Sequence, residues 1–190
     1  STLSPSSAAS DVYKRQALMT EVFCGLRTNL QFLLGKANHN VILVTSTISG
    51  EGKTFVATNL AVSLALLDKR VVVVGLDIRR PKLLECFGFS HEEIKGKKGI
   101  TNYLSDNSID LHSLLISAKN NSNLYILPAG TIPPNPAELI ARPALDTAIK
   151  LLAEEFDYVI LDSAPVGLVS DALIASRLAD ITLYLSLIHI

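Results

Sequence analysis

Four short apolar runs, each about the length of one strand, constrain the fold more than any other feature of this sequence. They read "NVILVTS", "RVVVVGLD", "NLYILPAG" and "DYVILDSAP", and helical patterns such as "GKTFVATNLAVSLALL" and "PAELIARPALDTAIKLLAEE" lie between them. Runs without polar alternation are typical of strands that are covered on both faces. Their alternation with helices predicts an α/β fold with a doubly wound, mostly parallel sheet, helices on both faces, and ligand sites at the carboxyl ends of the strands.

Composition and length favour one domain. The chain has 190 residues, of which 48% are hydrophobic and only 18% are charged, so a single well-covered core is expected. The formal net charge of -1 gives no overall attraction to polyanions, and we predict no nucleic-acid partner. The apolar runs are well short of the roughly 18 residues that a membrane-spanning helix needs.

The domain is predicted to occupy residues 17–190 and to be truncated at its C-terminal end. Residues 1–16 are rich in Ser and Ala and lack apolar periodicity, which predicts a disordered or foreign tail. The polar region from Gly88 to Asn123 predicts an irregular excursion over the surface. A helical pattern begins at Ala17, and its predicted apolar face consists of Val22, Leu26, Leu30 and Leu33.

A glycine-rich loop, "TSTISGEGKTFVATNLA" (residues 45–61), joins the first apolar run to the next helix. Gly50 and Gly52 allow the backbone to turn so that its N–H groups point inward at a phosphate. Lys53 can then reach the β- and γ-phosphates, and the Thr54 hydroxyl can bind Mg²⁺. The strict motif has glycine at position 47, where this chain has Thr47. The predicted nucleotide-binding residues are Ser49, Gly50, Glu51, Gly52, Lys53, Thr54 and Phe55.

Two acidic residues stand at the ends of other apolar runs. Asp162 ends "YVILD", which is the layout of a carboxylate that holds the metal of a nucleotide site, although Pro165 also suits a plain turn. Asp77 ends "VVVVGLD" and is followed by Arg79 and Arg80. An acid there could bind Mg²⁺ or accept a proton, and the arginines could pair with it or with phosphate. The alternative is a solvated salt bridge in a loop.

Four motifs together resemble the catalytic domain of bacterial tyrosine kinases, the P-loop NTPase family that controls capsule and exopolysaccharide export. They are "SGEGKT", "VVVVGLDIRRP", "LPAGTIPPNPAELI" and "YVILDSAPVG", and the resemblance extends from about Glu21 to about Leu183. It implies a Walker A motif at residues 47–54, a Walker A′ motif at 75–79 and a Walker B motif at 159–162.

The resemblance also implies an activity and its participants. The cofactors would be ATP and Mg²⁺, with Lys53, Asp77 and Arg79 as catalytic residues and Thr54, Asp77 and Asp162 as metal ligands. The expected reaction is tyrosine autophosphorylation between subunits of a ring, each modifying the tyrosine-rich tail of a neighbour. The expected location is cytoplasmic, at the inner face of the plasma membrane, with a membrane chain-length regulator attached by fusion or association.

The sequence departs from the family pattern in three respects. The A′ motif of the family is Asp-x-Asp-x-Arg, but this chain has Gly75 at the first acid, which predicts a slow kinase. The helix motif Glu-x-x-Arg-x-x-Arg, which contacts the next subunit in the family, has Cys24 at its middle position, which predicts a weakened ring. The tyrosine-rich tail is absent, and Tyr125, Tyr158 and Tyr184 are predicted to lie in buried runs.

Two other functions stay open on the sequence alone. One is an ATPase switch of the partition or division-site type, although such proteins carry a signature lysine in the loop where this chain has Ile48. The other is a non-catalytic, nucleotide-binding assembly module of a polysaccharide chain-length regulator.

Overall fold

The computed structural model describes residues 5–35, 40–166 and 171–186, with side chains described from residue 14 onward and, after the last gap, from residue 174. The strands of the described part are β1 (Val41–Ser46), β2 (Val71–Gly75), β3 (Ile116–Ala118), β4 (Asn121–Leu127), β5 (Tyr158–Asp162) and β6 (Ile181–Leu185). They form one sheet in the order β3-β4-β2-β5-β1-β6. All neighbouring pairs are parallel except β3 with β4, so the predicted α/β, mostly parallel sheet is confirmed.

The segment from Gly88 to Asn123 is more regular than the sequence predicts. It contains β3, which pairs antiparallel with β4 through the two-residue turn at positions 119 and 120. Because β3 lies at the edge of the sheet and its residues are partly exposed, its apolar pattern is too weak to read as a strand.

Helices cover both faces of the sheet. The helices of the described part are α1 (Pro5–Leu34), α2 (Lys53–Ala65), α3 (Leu83–Cys86), α4 (His91–Ile94), α5 (Ile100–Ser105), α6 (Pro136–Ile140), α7 (Pro143–Glu155), α8 (Asp171–Ser176) and a 3₁₀-helix at Leu111–Leu114. The helical pattern over 136–155 is two helices rather than one. The break comes before Pro143, because proline lacks an N–H and disfavours helical geometry at Arg142, whose backbone is extended.

Each central strand is buried on both faces. In β2, Val71 and Val73 pack in the apolar cluster that contains Leu60 of α2, whereas Val72 and Val74 pack in the cluster that contains Leu152 of α7. Side chains of a strand point alternately to opposite faces, so a run of valines supplies both clusters at once. This burial fixes the sheet whose carboxyl edge carries the candidate site.

The helix α1 begins at Pro5, so the prediction of a disordered tail over residues 1–16 is wrong for residues 5–16. Residues 1–4 lie outside the described part. The segment contains good helix formers, and extending an existing helix is much easier than nucleating one. Among the described residues, no helix is both long and apolar enough to cross a bilayer.

The buried face of α1 also differs from the predicted one. Val22 and Leu33 are 54% and 67% exposed, whereas Phe23, Leu30 and Leu34 are buried against α2 and the sheet. Leu30 is buried as predicted and Leu26 packs against the same cluster, so the prediction is wrong only for Val22 and Leu33. Nothing in the local pattern distinguishes these two faces, because apolar residues occur on both.

Candidate nucleotide site

The three predicted motifs meet at the carboxyl edge of the sheet. The strand β5 lies between β2 and β1, so Asp162 at its end has Gly75 and Val44 as register partners. The backbone N–H groups of Leu76 and Asp77 both donate to the Asp162 carbonyl oxygen, at 2.8 and 3.0 Å. The segment after β2 is therefore tied to the end of β5, beside the loop that leaves β1.

That loop has the backbone of a phosphate cradle. Gly50 and Gly52 have φ of 89° and 85°, in the left-handed region that favours glycine. Gly52 precedes α2 and supplies no side-chain bond to the first turn, so the helix amides are left for an anion. The carboxylate of Glu51 accepts from the Ile48 N–H at 3.0 Å and braces the loop from within.

Lys53 and Asp77 form a buried ion pair. The Lys53 Nζ lies 2.9 Å from Asp77 Oδ2, and the two side chains are 8% and 11% exposed. The other oxygen of Asp77 accepts from the Arg80 N–H at 3.3 Å. Asp77 is therefore not part of a solvated loop salt bridge, and the alternative reading of this acid is wrong. Its cation is the lysine of the phosphate loop.

Thr54 and Asp162 form the second pair of the site. The Thr54 hydroxyl donates to Asp162 Oδ2 at 2.9 Å, so this carboxylate faces the loop instead of capping the turn that follows it. Asp162 is 2% exposed, and its Oδ1 has no hydrogen-bond partner among the residues that the structure describes. Burial raises the pKa of Asp162 to about 7, with Asp77 adding to the rise and Lys53 and Thr54 opposing it.

These oxygens suit Mg²⁺. A buried carboxylate oxygen without a partner is a site that a cation would satisfy, and the Thr54 hydroxyl and Asp77 add two hard ligands. The described residues contain no group of three or more His, Cys, Asp or Glu side chains arranged to hold a metal. Mg²⁺ is usually held by one or two carboxylates together with the phosphates of a nucleotide, and Asp162 and Asp77 are the carboxylates of this site.

The raised pKa of Asp162 predicts a pH dependence of folding. The folded protein keeps this proton up to about pH 7, whereas the unfolded chain loses it near the ordinary value of 3.8. The stability of the nucleotide-free protein should therefore fall as the pH rises through that window and level off above it. Asp162→Asn cannot titrate, so its loss of stability between those pH values should be smaller. Urea unfolding of both proteins from about pH 5 to about pH 8 measures this, and parallel curves would contradict the buried carboxyl.

The remaining predicted residues occupy different positions. Ser49 is exposed in the loop, and Arg79 is exposed just beyond Asp77. The Phe55 ring packs edge-on against Phe23 of α1, with centroids 6.1 Å apart, which leaves its backbone amide as the group that could serve the loop.

One contact of the loop was missed by the sequence analysis. The hydroxyl groups of Thr47 and Tyr184 lie 2.8 Å apart, so the residue that replaces the usual glycine is tied to the edge strand β6. Tyr184 is 56% exposed, and the prediction that it is buried is wrong. In β6, residues alternate between partly buried and exposed, and the alternation of Thr182 and Tyr184 with apolar residues could have predicted this.

Comparison with known proteins identifies the family. A family model described as an AAA domain matches residues 39–184, which contain the whole site. The tyrosine-protein kinase CpsD of Streptococcus agalactiae serotype III is 37% identical over 167 residues, covering 87% of this chain and 68% of CpsD. The chain belongs to the bacterial tyrosine-kinase family. This kinase domain is thus an ATP-binding P-loop protein and a protein-tyrosine kinase by family, of the type that regulates capsule or exopolysaccharide synthesis.

Other relatives agree with this assignment. The tyrosine-protein kinase YwqD of Bacillus subtilis is 32% identical over 165 residues, with coverage of 87% of this kinase domain and 67% of YwqD. The kinase domain of the Escherichia coli tyrosine kinase ETK superposes with a TM-score of 0.80 at 28% identity, covering 88% of this chain and 63% of the solved ETK kinase-domain chain. The chain therefore spans about two thirds of the length of these relatives.

The division-site alternative has weaker support. The septum site-determining protein MinD of Pyrococcus horikoshii, solved with Mg-ADP, gives a TM-score of 0.62 at 26% identity and covers 78% of this chain. MinD shares the architecture, but the kinases match more of the chain and match it more closely.

Proposed function

We propose that this kinase domain transfers the γ-phosphoryl group of ATP to tyrosine hydroxyls presented by a segment outside the domain core. The observation that carries the proposal is the pair of contacts Lys53–Asp77 and Thr54–Asp162, which joins the three nucleotide motifs in one buried site. Phosphoryl transfer depends mainly on positioning and on electrostatic stabilisation, and these contacts supply both.

Each residue of the site has a role in this proposal. Lys53 binds the phosphates of ATP, exchanging its contact with Asp77 for the incoming oxygens. The Asp77 carboxylate, released from that contact, accepts the proton as the tyrosine oxygen bonds to the γ-phosphorus and the bond to the β-phosphate oxygen breaks. Thr54 and Asp162 would hold Mg²⁺, which would neutralise charge on the phosphates. Arg79 is exposed beside them, where it can pair with a phosphate oxygen.

The acceptor tyrosine is proposed to come from elsewhere, as in a tyrosine-rich tail of a neighbour. Tyr103, Tyr125 and Tyr158 are partly buried in α5, β4 and β5, and Tyr184 is fixed in β6 with its hydroxyl against Thr47. In-line attack requires a hydroxyl that can reach the γ-phosphate, at about 3 Å, and a side chain fixed in a sheet has little freedom to do so.

The absence of an acid at position 75 supports a slow reaction. A side chain at Gly75 would begin 3.1 Å from the Ala129 backbone nitrogen and 3.4 Å from Leu83 Cδ2, so the end of β4 closes over this position. Asp77 and Asp162 are then the two acids available. The same feature favours a second candidate function, in which the domain binds nucleotide only to drive assembly.

The proposed partners are a second copy of the chain and a membrane chain-length regulator. In the motif that contacts the next subunit in the family, the Arg27 guanidinium donates to the Ser63 carbonyl of its own chain at 2.8 Å, and Cys24 replaces the middle arginine. Both features support a weakened ring.

Attachment to a membrane chain-length regulator would place the kinase domain at the cytoplasmic face of the membrane. The solved chimera CapA2B2 is similar to this chain, with a TM-score of 0.76 at 32% identity.

Incubation with ATP, Mg²⁺ and a tyrosine-rich peptide tests the function. Mass spectrometry should find phosphate on the peptide and little on the domain, and Asp77→Asn should remove most of the labelling, about 100-fold or more. Strong phosphorylation of Tyr125 or Tyr158 would contradict the need for an external acceptor. A protein that binds ATP but labels no peptide would be the assembly module. Tyr184→Phe is the control that separates labelling of the exposed tyrosine from labelling of the peptide.

A further inference from the structure

A cluster of basic side chains borders the candidate site. Residues 79–98 contain six of the 17 basic residues of the chain and only three acidic ones, although the whole chain has a formal net charge of -1. Five of these six form what we call the basic rim, and all five are exposed. The basic rim consists of Arg80, Lys82, Lys95, Lys97 and Lys98.

The basic rim lies beside Asp77. Its first part follows β2 directly, and the Arg80 N–H donates to the Asp77 carboxylate at 3.3 Å. Its second part reaches the same place through the fold, because Lys97 lines a small cavity together with Pro81 and Gly130. The cations of both parts therefore lie on the same side of the site, close to Asp77.

The backbone that follows the second part of the rim is anchored to the end of β4. The N–H groups of Ile100 and Thr101 donate to the carbonyl oxygens of Pro128 and Ala129, at 2.9 and 3.0 Å, just beyond the end of β4. Gly99 approaches this backbone so closely that any side chain would collide with it. The backbone that directly follows these lysines is therefore anchored at the carboxyl edge of the sheet, which keeps their exposed side chains near the candidate site.

The lysines of the basic rim form no ion pairs with other described residues. Lys95, Lys97 and Lys98 have no carboxylate within 4.0 Å there, although Glu85 lines the same small cavity as Lys97. The nearby Glu93 carboxylate is already bound by Lys119 at 2.9 Å and by the Ser90 N–H at 2.7 Å. The rim is thus available to an external anion.

We propose that the basic rim binds an acidic segment that carries the acceptor tyrosine, so that this kinase domain selects tyrosines flanked by glutamate or aspartate. The inference rests on the proposed kinase function and names the substrate class of the same site. Complementary charge around a site speeds encounter and fixes the register of the bound chain. The flanking carboxylates would contact the lysines while the tyrosine enters between Lys53 and Asp77.

The test compares two peptides that differ only in charge. One has a central tyrosine with two glutamates on each side, and the other has glutamines in place of the glutamates. The KM for the acidic peptide should be lower by about five-fold or more, and the difference should vanish at high salt, where the Debye length is roughly 3 Å. Equal KM values for the two labelled peptides would overturn the inference and leave the kinase function standing. Labelling of neither peptide would overturn both.

The variant Lys95→Gln/Lys97→Gln tests whether the basic rim causes the preference for the acidic peptide. It should remove the preference through KM, with unchanged kcat and unchanged affinity for a fluorescent ATP analogue. The matched control is Lys69→Gln/Lys150→Gln, which removes two lysines located in the turn before β2 and on α7. Three results would overturn the inference: an equal effect of the control, a matching loss of ATP affinity, or a variant that loses binding to phosphatidylserine vesicles while keeping its peptide preference.

Discussion

Lys53→Met should abolish turnover of Mg-ATP by this kinase domain, with a loss of at least about 100-fold, equivalent to about 2.7 kcal/mol of transition-state stabilisation. Lys53 is buried at the start of α2, beside the glycine-rich loop, and is the cation proposed to bind the phosphates of ATP. Methionine has a similar length but no charge and no donor, so the phosphates would lose their principal partner. Single-turnover kinetics and titration with a fluorescent ATP analogue measure the loss.

Two further variants keep this result interpretable. Removal of Lys53 leaves Asp77 as a buried, unpaired charge, which typically costs about 3–5 kcal/mol and could unfold the protein. The double variant Lys53→Met/Asp77→Asn removes that charge and should regain most of the stability without regaining ATP binding. Lys69→Met, in the turn before β2, should behave like the parent. Turnover retained in a folded Lys53→Met protein would refute the phosphate-loop assignment.

Gly99→Ala should destabilise the protein by more than about 3 kcal/mol, a large effect for one methyl group. The added Cβ would overlap the Pro128 carbonyl oxygen and lie 2.6 Å from the Gly130 backbone nitrogen. These are backbone atoms held by the hydrogen bonds between α5 and the end of β4, so they cannot move aside as a side chain could. For a domain of this size the melting temperature should fall by roughly 6 °C or more.

Gly25→Ala is the matched control for that substitution. Gly25 lies within α1, and apart from the adjoining backbone of that helix no described residue comes within 4 Å of an added Cβ, so alanine there should stabilise the helix by about 0.5–1 kcal/mol. Calorimetry of the parent and the two variants measures the melting temperatures. If Gly99→Ala melts with the parent, the close contact between the α5 start and the β4 end does not exist in solution.

Local sequence patterns were sufficient for the central strands and for the loop. The central strands β1, β2 and β5 are continuous apolar runs. Short apolar runs that lie between helical segments are typical of buried parallel strands, so their structure could be predicted. The edge strand β3 was missed because partial exposure weakens its pattern. The break between α6 and α7 at Pro143 could have been predicted from the sequence, because a proline disfavours helical geometry in the residue before it.

The sequence by itself determined the α/β class, the phosphate loop at Lys53 and Thr54, and the two strand-end acids, because each depends on residues that are neighbours along the chain. Only the tertiary structure decided which groups the acids contact. Lys53 and Asp77 are 24 positions apart, and Thr54 and Asp162 are 108 apart, so their contacts exist only once β1, β2 and β5 lie side by side. The raised pKa of Asp162 has the same origin, since burial by the folded sheet removes the water that would otherwise stabilise its charge.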